Sequence, residues 1–427
     1  QFSHQFSHPL LLFPTMRLML CFLAVSLAAA EVTVEQVNKA IGLELFADAN
    51  LWDDDAKAVA ERLGWPQESE TTTDASYRLY PKEDYRLLGC RPYSCAFLAD
   101  QNKPTSLSLM FANKGDSVSI GSKDAKDKTK VKARDEQIKD YKKAIAEDAK
   151  DLEAKLTGLF GPPKLGSMGQ AQATREVVRR WNWSGHAFLL AAPKDEYVAL
   201  RVLSVKSADE GGRSRVTDAE LFARAKTRVE KRPNGDVILK DIPMVNQGPK
   251  GYCVPATWER AMRYMGVPAD MYVLAMAGQS GAGGGTSTIA IANGAKDAVS
   301  RGGRKIESAS IKIEPGTVAK YIDRGLPVMW AMFSTKEYND IANARTKERA
   351  GMTDAAAWKK ALADARKGQK PLQPDRNEGH VCMIIGYNKE TGEVAVSDSW
   401  GPAFEERWIL GVEATQVSQG GVTVIGF

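Results

Sequence analysis

The sequence predicts an α+β protein of two units, an N-terminal one over 31–232 and a C-terminal one over 236–427. Three observations predict it. Short aromatic and leucine-rich runs at 75–120 and 177–204 have the length and the turn-residue borders of strands. One long helical stripe lies between them. At 232–235, RPNG makes a turn, and beyond it a new pattern begins, strand first and then helix. A length of 427 residues suits two or three domains, and 43% apolar with 26% charged residues is ordinary for a globular chain. A net charge of +5 is too small at this length to mark a nucleic-acid partner.

Residues 1–30 read as upstream and targeting sequence. Met16-Arg17 leads into LMLCFLAVSLAAA, with an A-x-A site at Ala28 and Ala30. The apolar run is too short for a spanning helix. Cys21 lies near the start of that run, not after it, so it does not read as a lipid-attachment site. Residues 1–15 precede the first Met and read as untranslated. The mature chain is expected to be exported (periplasmic, cell-surface or extracellular) with no stable membrane span after signal removal.

Residues 31–64 are helical in pattern, with Leu43, Phe46, Leu51, Ala56, Val59 and Leu63 at helical spacing before LGWP ends the run. YRLY, YRLLGC, SCAFLA and SLSLMFA then read as strands of an antiparallel sheet. Within CRPYSC, Cys90 and Cys95 could face each other across a tight hairpin. In an exported protein they are a disulfide candidate, and two reduced thiols in a small core fit as well. Residues 122–155 are dense in charge of both signs, which argues against a phosphate-binding arm. Ile138, Tyr141, Ile145, Leu152, Leu156 and Leu159 form one stripe, so the run is a long amphipathic helix laid on the sheet and stopped at GPP. A meander follows at 177–204. His186 sits beside one of its turns with no acid or cysteine at ligand spacing, and reads as structural. Thr217 and Glu220 form a capping box that opens a helix to about Lys231.

The chemistry lies in the second unit. DVILKDIPMV reads as a strand entering the loop QGPKGYC, and VPATWERAMRYMG after it is helical. Cys253 therefore stands at a helix N-terminus, whose positive end favours the thiolate, the nucleophilic form of cysteine. Gln247, on a loop bent by Gly248 and Gly251, can aim its amide N–H at the same point. With the Cys253 backbone N–H it would make a pair of oxyanion donors. A base is needed as well. GHVCMIIGYN begins with His380, and GEVAVSDSWG ends with Asp398; the NKETG connection between them makes a hairpin. A hairpin sets the start of one strand beside the end of the next. Asp398 can then accept the far ring N–H of His380 and fix its tautomer.

These residues carry a resemblance. From 236 to 427 the chain resembles papain-like cysteine peptidases, nearest to the bacterial group similar to double-glycine leader peptidases. Gln247-Gly248-x-x-Gly251-x-Cys253 matches their Q-G-x-x-G-x-C pattern. Cys253-Val254-Pro255-Ala256 resembles the C-G-P-A helix start, with Val254 the departure. His380 followed by an apolar strand and Gly386-Tyr387 matches H-x-x-x-x-x-G-Y, and Asp398-Ser-Trp-Gly stands where papain-like enzymes carry N-S-W-G. The resemblance implies Cys253 as nucleophile, His380 as general base and acid, Asp398 as orienting residue and Gln247 as oxyanion donor, with Trp400 shielding the His–Asp pair. It also implies a cleft lined by Gly251 and by the Gly-rich loop that holds Gly284 and Gly285.

The activity implied is peptide-bond hydrolysis by an exported thiol peptidase. An amidase or acyltransferase using the same residues, or a non-catalytic peptide-binding or adhesion protein on this scaffold, are the alternatives. The partner is a peptide or protein substrate, with no nucleic acid, cofactor or metal. Cys382, two residues past His380, reads as a core thiol. Region 335–378 matches no part of the motif and reads either as a flap over the cleft or as a solvated helical insertion. Region 31–232 reads either as a propeptide that blocks the cleft or as a recognition module.

Overall fold

A computed structural model describes residues 31–119, 128–169, 171–212 and 216–427. The signal-like segment and the start of the charge-dense run lie outside the described residues. The first unit runs through α1 (Val34–Ile41), α2 (Ala56–Leu63), β1 (Gln67–Glu70), β2 (Asp74–Leu79), β3 (Ser94–Asp100) and β4 (Lys103–Asn113). It continues with α3 (Lys128–Phe160), β5 (Lys164–Met168), β6 (Glu176–Trp183), β7 (His186–Ala191), β8 (Tyr197–Ser204) and α4 (Val205–Asp209). Its eight strands form one antiparallel sheet in the order β1-β2-β3-β4-β8-β7-β6-β5.

The helical pattern at 31–64 resolves into two helices, because Gly42 takes a left-handed φ of 81° and closes α1. The long helix is α3. It buries Tyr141, Ile145, Leu152 and Leu156 in one core with Phe97, Leu109 and Phe188 of the sheet. YRLLGC is not a strand. Leu87 and Cys90 exchange backbone hydrogen bonds there in a tight turn. That turn undoes the expected hairpin between Cys90 and Cys95, and both are free, buried thiols. Cys95 pairs in β3 with Leu79 and Leu109, while the Cys90 thiol lies beside Asp148 of α3. His186 is fully buried among Phe46, Trp52 and Trp183, with Nε2 at 3.1 Å from the Ala49 carbonyl. Burial holds its pKa down, as suits a neutral structural histidine.

The second unit begins earlier than the turn at 232. It comprises α5 (Asp218–Arg228), β9 (Val229–Lys231), β10 (Asp236–Leu239), α6 (Cys253–Tyr264), α7 (Met271–Ala277), α8 (Thr288–Arg301), β11 (Lys305–Ser310) and α9 (Pro315–Ile322). Then follow β12 (Val328–Phe333), α10 (Lys336–Glu348), α11 (Ala355–Ala365), β13 (Gly379–Asn388), β14 (Glu393–Ser397), β15 (Arg407–Leu410), α12 (Gly411–Val417) and β16 (Ser418–Gly426). The sheet runs β11-β16-β12-β13-β10-β9, with β14 on β13 and β15 on β14, all antiparallel. RPNG is the turn of the β9–β10 hairpin rather than a linker. Leu221 of α5 enters the second core, and Arg228 donates to the Tyr264 carbonyl at 2.9 Å. A Pro–Gly turn marks a hairpin as readily as a boundary, so the division at 232 falls inside this unit. Among the described residues no helix is long and apolar enough to cross a membrane.

The insertion at 335–378 is neither a free flap nor a solvated appendage at its first helix. Arg349, just past α10, is buried and grips Asp236 through two bonds of 2.7 and 2.9 Å. It also donates to Glu393 at 3.2 Å, and its guanidinium lies 3.6 Å from the centre of the Trp408 ring. Arg345 of α10 pairs with buried Glu413. These pairs fasten α10 to the β10, β14 and α12 side of the sheet. Arg349→Ala strands Asp236 and Glu393 as buried carboxylates short of a partner, and should cost about 3–5 kcal/mol. A urea unfolding curve checks this; a loss under 1 kcal/mol would show that water replaces the guanidinium.

Candidate active site

The site assembles where α6 begins against β13. The thiol of Cys253, first residue of α6, lies beside the His380 ring and the backbone N–H groups of Val254 and Val381, all of which favour its thiolate. Tyr252, preceding the helix, supplies no side-chain cap. The first-turn N–H groups therefore face the sulfur without a competing acceptor from that position. β13 begins at Gly379, so His380 enters the sheet opposite Met332 of β12. The β13–β14 hairpin ends one residue before Asp398, as the spacing predicts. His380 Nε2 and Asp398 Oδ1 stand 2.7 Å apart. With Nε2 engaged by the carboxylate, Nδ1 is the ring nitrogen left for sulfur.

Burial would push the Cys253 thiol up, but the neighbouring imidazolium and the N–H donors outweigh it and leave the thiol below its ordinary value. His380 moves the opposite way. Burial opposes its charge, yet the thiolate and Asp398 together raise it well above the usual imidazole range. Asp398 is held low despite burial, by His380 and by Arg407. All three shifts run in the direction that favours a thiolate–imidazolium pair backed by a carboxylate.

Gln247 is clamped. Its Oε1 accepts from Ser399 Oγ at 2.7 Å, and its Nε2 donates to the Lys250 carbonyl at 3.0 Å. A flipped amide would set oxygen against that carbonyl, so the assignment is forced. One amide N–H remains for another acceptor. The backbone N–H of Gln247 also donates to the Ser399 carbonyl at 2.8 Å, which joins the loop to the end of the β14 turn.

Gly251 and Gly284 lie in a parallel bridge, and Gly285 N–H donates to the Gly251 carbonyl at 2.9 Å. A Cβ on Gly284, whose φ is 91°, would come within 2.7 Å of Gly251. Bare backbone is thus required for the Gly-rich loop to lie along the Cys253 loop. Trp400 packs its ring 4.9 Å from that of His380. Cys382 is buried, and burial drives its thiol far above the ordinary value, the signature of an inert core cysteine. Among the described residues no group of three His, Cys, Asp or Glu side chains could hold a metal ion.

Two further residues complete the site and have no motif of their own. Arg407, fully buried in β15, donates through Nη2 to Asp398 Oδ2 and through Nη1 to Asn339 and Asn343 of α10 at 2.9 and 3.1 Å. The inserted helix is the back wall of the Asp398 site. Ser399 is the other, since it orients Gln247; it lies inside DSWG, where only its neighbours draw attention. Beside Val381 opens a pocket of about 480 Å³, walled by Trp258, Met329 and Ala331 together with polar Thr288, Asn293, Ser308, Ser310 and Thr423, and with no charged residue in its lining.

A cysteine–histidine–aspartate array at a helix N-terminus defines a candidate cysteine-peptidase centre, and comparison with known proteins agrees at family level. The Peptidase_C39 like family model matches residues 239–414, so this segment is similar to papain-like cysteine peptidases of the double-glycine group. A solved structure, the peptidase domain of Streptococcus ComA, a bifunctional ABC transporter involved in quorum sensing, aligns at 13% identity and a TM-score of 0.28. The alignment covers 44% of this chain and 98% of that one, a likeness too distant to argue from. No curated protein matches the chain.

Proposed function

We propose that the protein is an exported thiol peptidase that cleaves peptide bonds through an acyl-enzyme on Cys253. The observation that carries this reading is the convergence of Cys253, His380 and Asp398, with His380 and Asp398 hydrogen-bonded, the charge of His380 lowering the Cys253 thiol, and the Gln247 amide locked alongside. The Cys253 thiolate attacks the carbonyl carbon, and the carbonyl π pair moves onto oxygen. The Gln247 N–H and the Cys253 backbone N–H receive that charge. Collapse expels the amine, which takes its proton from the His380 imidazolium. Neutral His380 then deprotonates water, which attacks the thioester and releases the carboxylic acid and the thiolate. The uncharged pocket beside Val381, lined by hydroxyl and amide groups as well as apolar ones, suits an uncharged substrate side chain near the scissile bond. Gly251, Gly284, Gly285 and Trp400 border the backbone of that substrate. Export rests on the signal-like segment before Glu31.

The pH dependence of iodoacetamide alkylation at Cys253 tests the reading. The expected profile rises well below the ordinary thiol pKa of about 8.5. It should not fall where His380 loses its proton at higher pH, because the thiolate that alkylation needs persists there. His380→Ala should restore an ordinary thiol profile. A free-thiol profile in the wild type would leave a binding scaffold as the function. If the thiolate is present, mass spectrometry of the products separates hydrolysis from acyl transfer.

A further inference from the structure

The loop that carries Gln247 and leads to Cys253 is held from outside its own unit. Tyr80, at the end of β2, donates its hydroxyl to the Asn246 carbonyl, and its ring lies against Gly248. A Cβ at Gly248, where φ is 72°, would stand only 2.7 Å from that ring. Tyr80 therefore brackets Gln247 on both sides in sequence. Glu68 of β1 accepts the Asn246 N–H at 2.7 Å, and Ser69 Oγ accepts the Met244 N–H at 2.8 Å. Glu68 is itself buried and fixed by Arg78 at 2.6 Å.

The second grip is on Tyr252, the neighbour of the nucleophile. Its hydroxyl donates to Asn113 Oδ1 at 3.1 Å, and a Cβ on Gly115 would overlap the phenol at 2.0 Å. The third is on the Gly-rich loop. Gly283 N–H donates to the Lys114 carbonyl at 2.9 Å, and Arg134 to the Ala282 carbonyl at 3.3 Å. Behind these bonds Met110, Tyr197 and Ala199 of the first sheet share one apolar cluster with Val245, Tyr252, Ala256 and Tyr272.

We infer that the N-terminal sheet is a permanent half of the catalytic unit, positioning the Gln247 oxyanion donor through Tyr80 and Glu68, rather than a propeptide to be shed. The inference rests on the peptidase reading of the same site. A propeptide would fill the substrate cleft and leave with little damage. These contacts instead bind the backbone on either side of Gln247, and their loss would free the donor to wander. Preorganised donors stabilise an oxyanion because they need no reorganisation during the reaction. Tyr80 is thus a positioning residue, acting through Gln247.

Two reactions of Cys253 separate this role from general stability. Iodoacetamide alkylation is a displacement at saturated carbon and needs only the thiolate. Acylation by a p-nitrophenyl ester passes through a tetrahedral oxyanion, with thioester formed and p-nitrophenolate released. In the uncut chain, Tyr80→Phe should lower the maximal acylation rate about 10-fold and Tyr80→Ala about 100-fold. KM and the alkylation pH profile should stay near wild type. Phe rescues part of the Ala defect because it keeps the ring against Gly248. Glu68→Gln, checked for folding by its thermal melt, should move the same way, since a neutral amide oxygen is the weaker acceptor for Asn246.

Wild-type acylation in both Tyr80 variants would overturn the inference alone, provided the low-pH alkylation profile is present. Alkylation and acylation falling in parallel would mean a structural role and would overturn it too. So would acylation that appears only after the chain is cut between 205 and 235. An ordinary thiol profile in the wild type would overturn the peptidase reading and this inference together.

Discussion

Asp398→Asn is expected to slow acylation of Cys253 by about 10³–10⁴-fold, even though papain-like enzymes carry asparagine at the matching position. The reason is Arg407. Its guanidinium is fully buried and donates to Asp398 Oδ2, while His380 Nε2 meets Oδ1. An aspartate offers an acceptor to both neighbours. An asparagine has one oxygen and one NH₂, and Arg407 has no lone pair to receive an N–H. The amide oxygen must turn to Arg407, which leaves the NH₂ donating to His380 Nε2. The ring proton then moves to Nδ1, the nitrogen that should receive the thiol proton. The base is present in the wrong tautomer. The alkylation profile should shift with it toward that of a free thiol.

The double variant Asp398→Asn, Arg407→Leu distinguishes this account from simple loss of a carboxylate. With the guanidinium gone, the asparagine can turn its oxygen to His380. Acylation should then recover by about 10–100-fold over the single variant. Equal rates in the single and double variants would show that Arg407 does not choose the amide orientation. Near-wild-type activity of Asp398→Asn alone would remove Arg407 from the mechanism. Stability should follow the same order, because Asp398→Asn leaves Arg407 a buried charge facing only neutral amide oxygens, those of Asn339, Asn343 and the introduced amide, with no carboxylate.

Arg407 marks the limit of what the sequence makes legible. Gln247, Cys253, His380 and Asp398 can be read because each sits at punctuation: a Gly-bent loop, a helix start, the two ends of one hairpin. Local rules of turn and strand bring those four together. Arg407 opens a short strand, RWIL, whose pairing with β14 depends on a chain reversal at 398–406 that has no hairpin signature. Its two asparagines come from α10, in an insertion with no motif to align. The same holds for β1, QESE, which has no apolar alternation and so is not recognised as a strand. Its Glu68 and Ser69 are buried only because they bond to a loop that lies far along the chain. Long-range polar contacts set the details of this site, and periodicity is silent about them. The disulfide candidate failed for a related reason. Proximity of Cys90 and Cys95 in sequence presumes a hairpin, whereas the turn at Leu87–Cys90 sends one thiol to α3 and leaves the other in β3.

Gln247→Ala should lower acylation by about 10²–10³-fold, the usual cost of one oxyanion donor. It should leave the pH profile of iodoacetamide alkylation unchanged. The separation follows from the geometry. No bond runs from Gln247 to the thiol among those on Cys253, so the thiolate–imidazolium pair survives its removal. What is lost is one N–H held in place by Ser399 Oγ on the oxygen side and the Lys250 carbonyl on the nitrogen side. Ser399→Ala tests that lock. The donor is retained but released, so the expected fall is smaller, about 10-fold, with the same silence in alkylation. Gln247→Glu keeps the shape and reverses the electrostatics. Its carboxylate accepts where an N–H should donate, and sets negative charge against the developing oxyanion, so it should be slower than Gln247→Ala at neutral pH. Below the carboxyl pKa of about 4.3 the protonated form can donate again. The gap between the Glu and Ala variants should then narrow as pH falls. A Gln247→Glu enzyme as fast as wild type at pH 7 would place the oxyanion elsewhere, on the helix N–H groups alone.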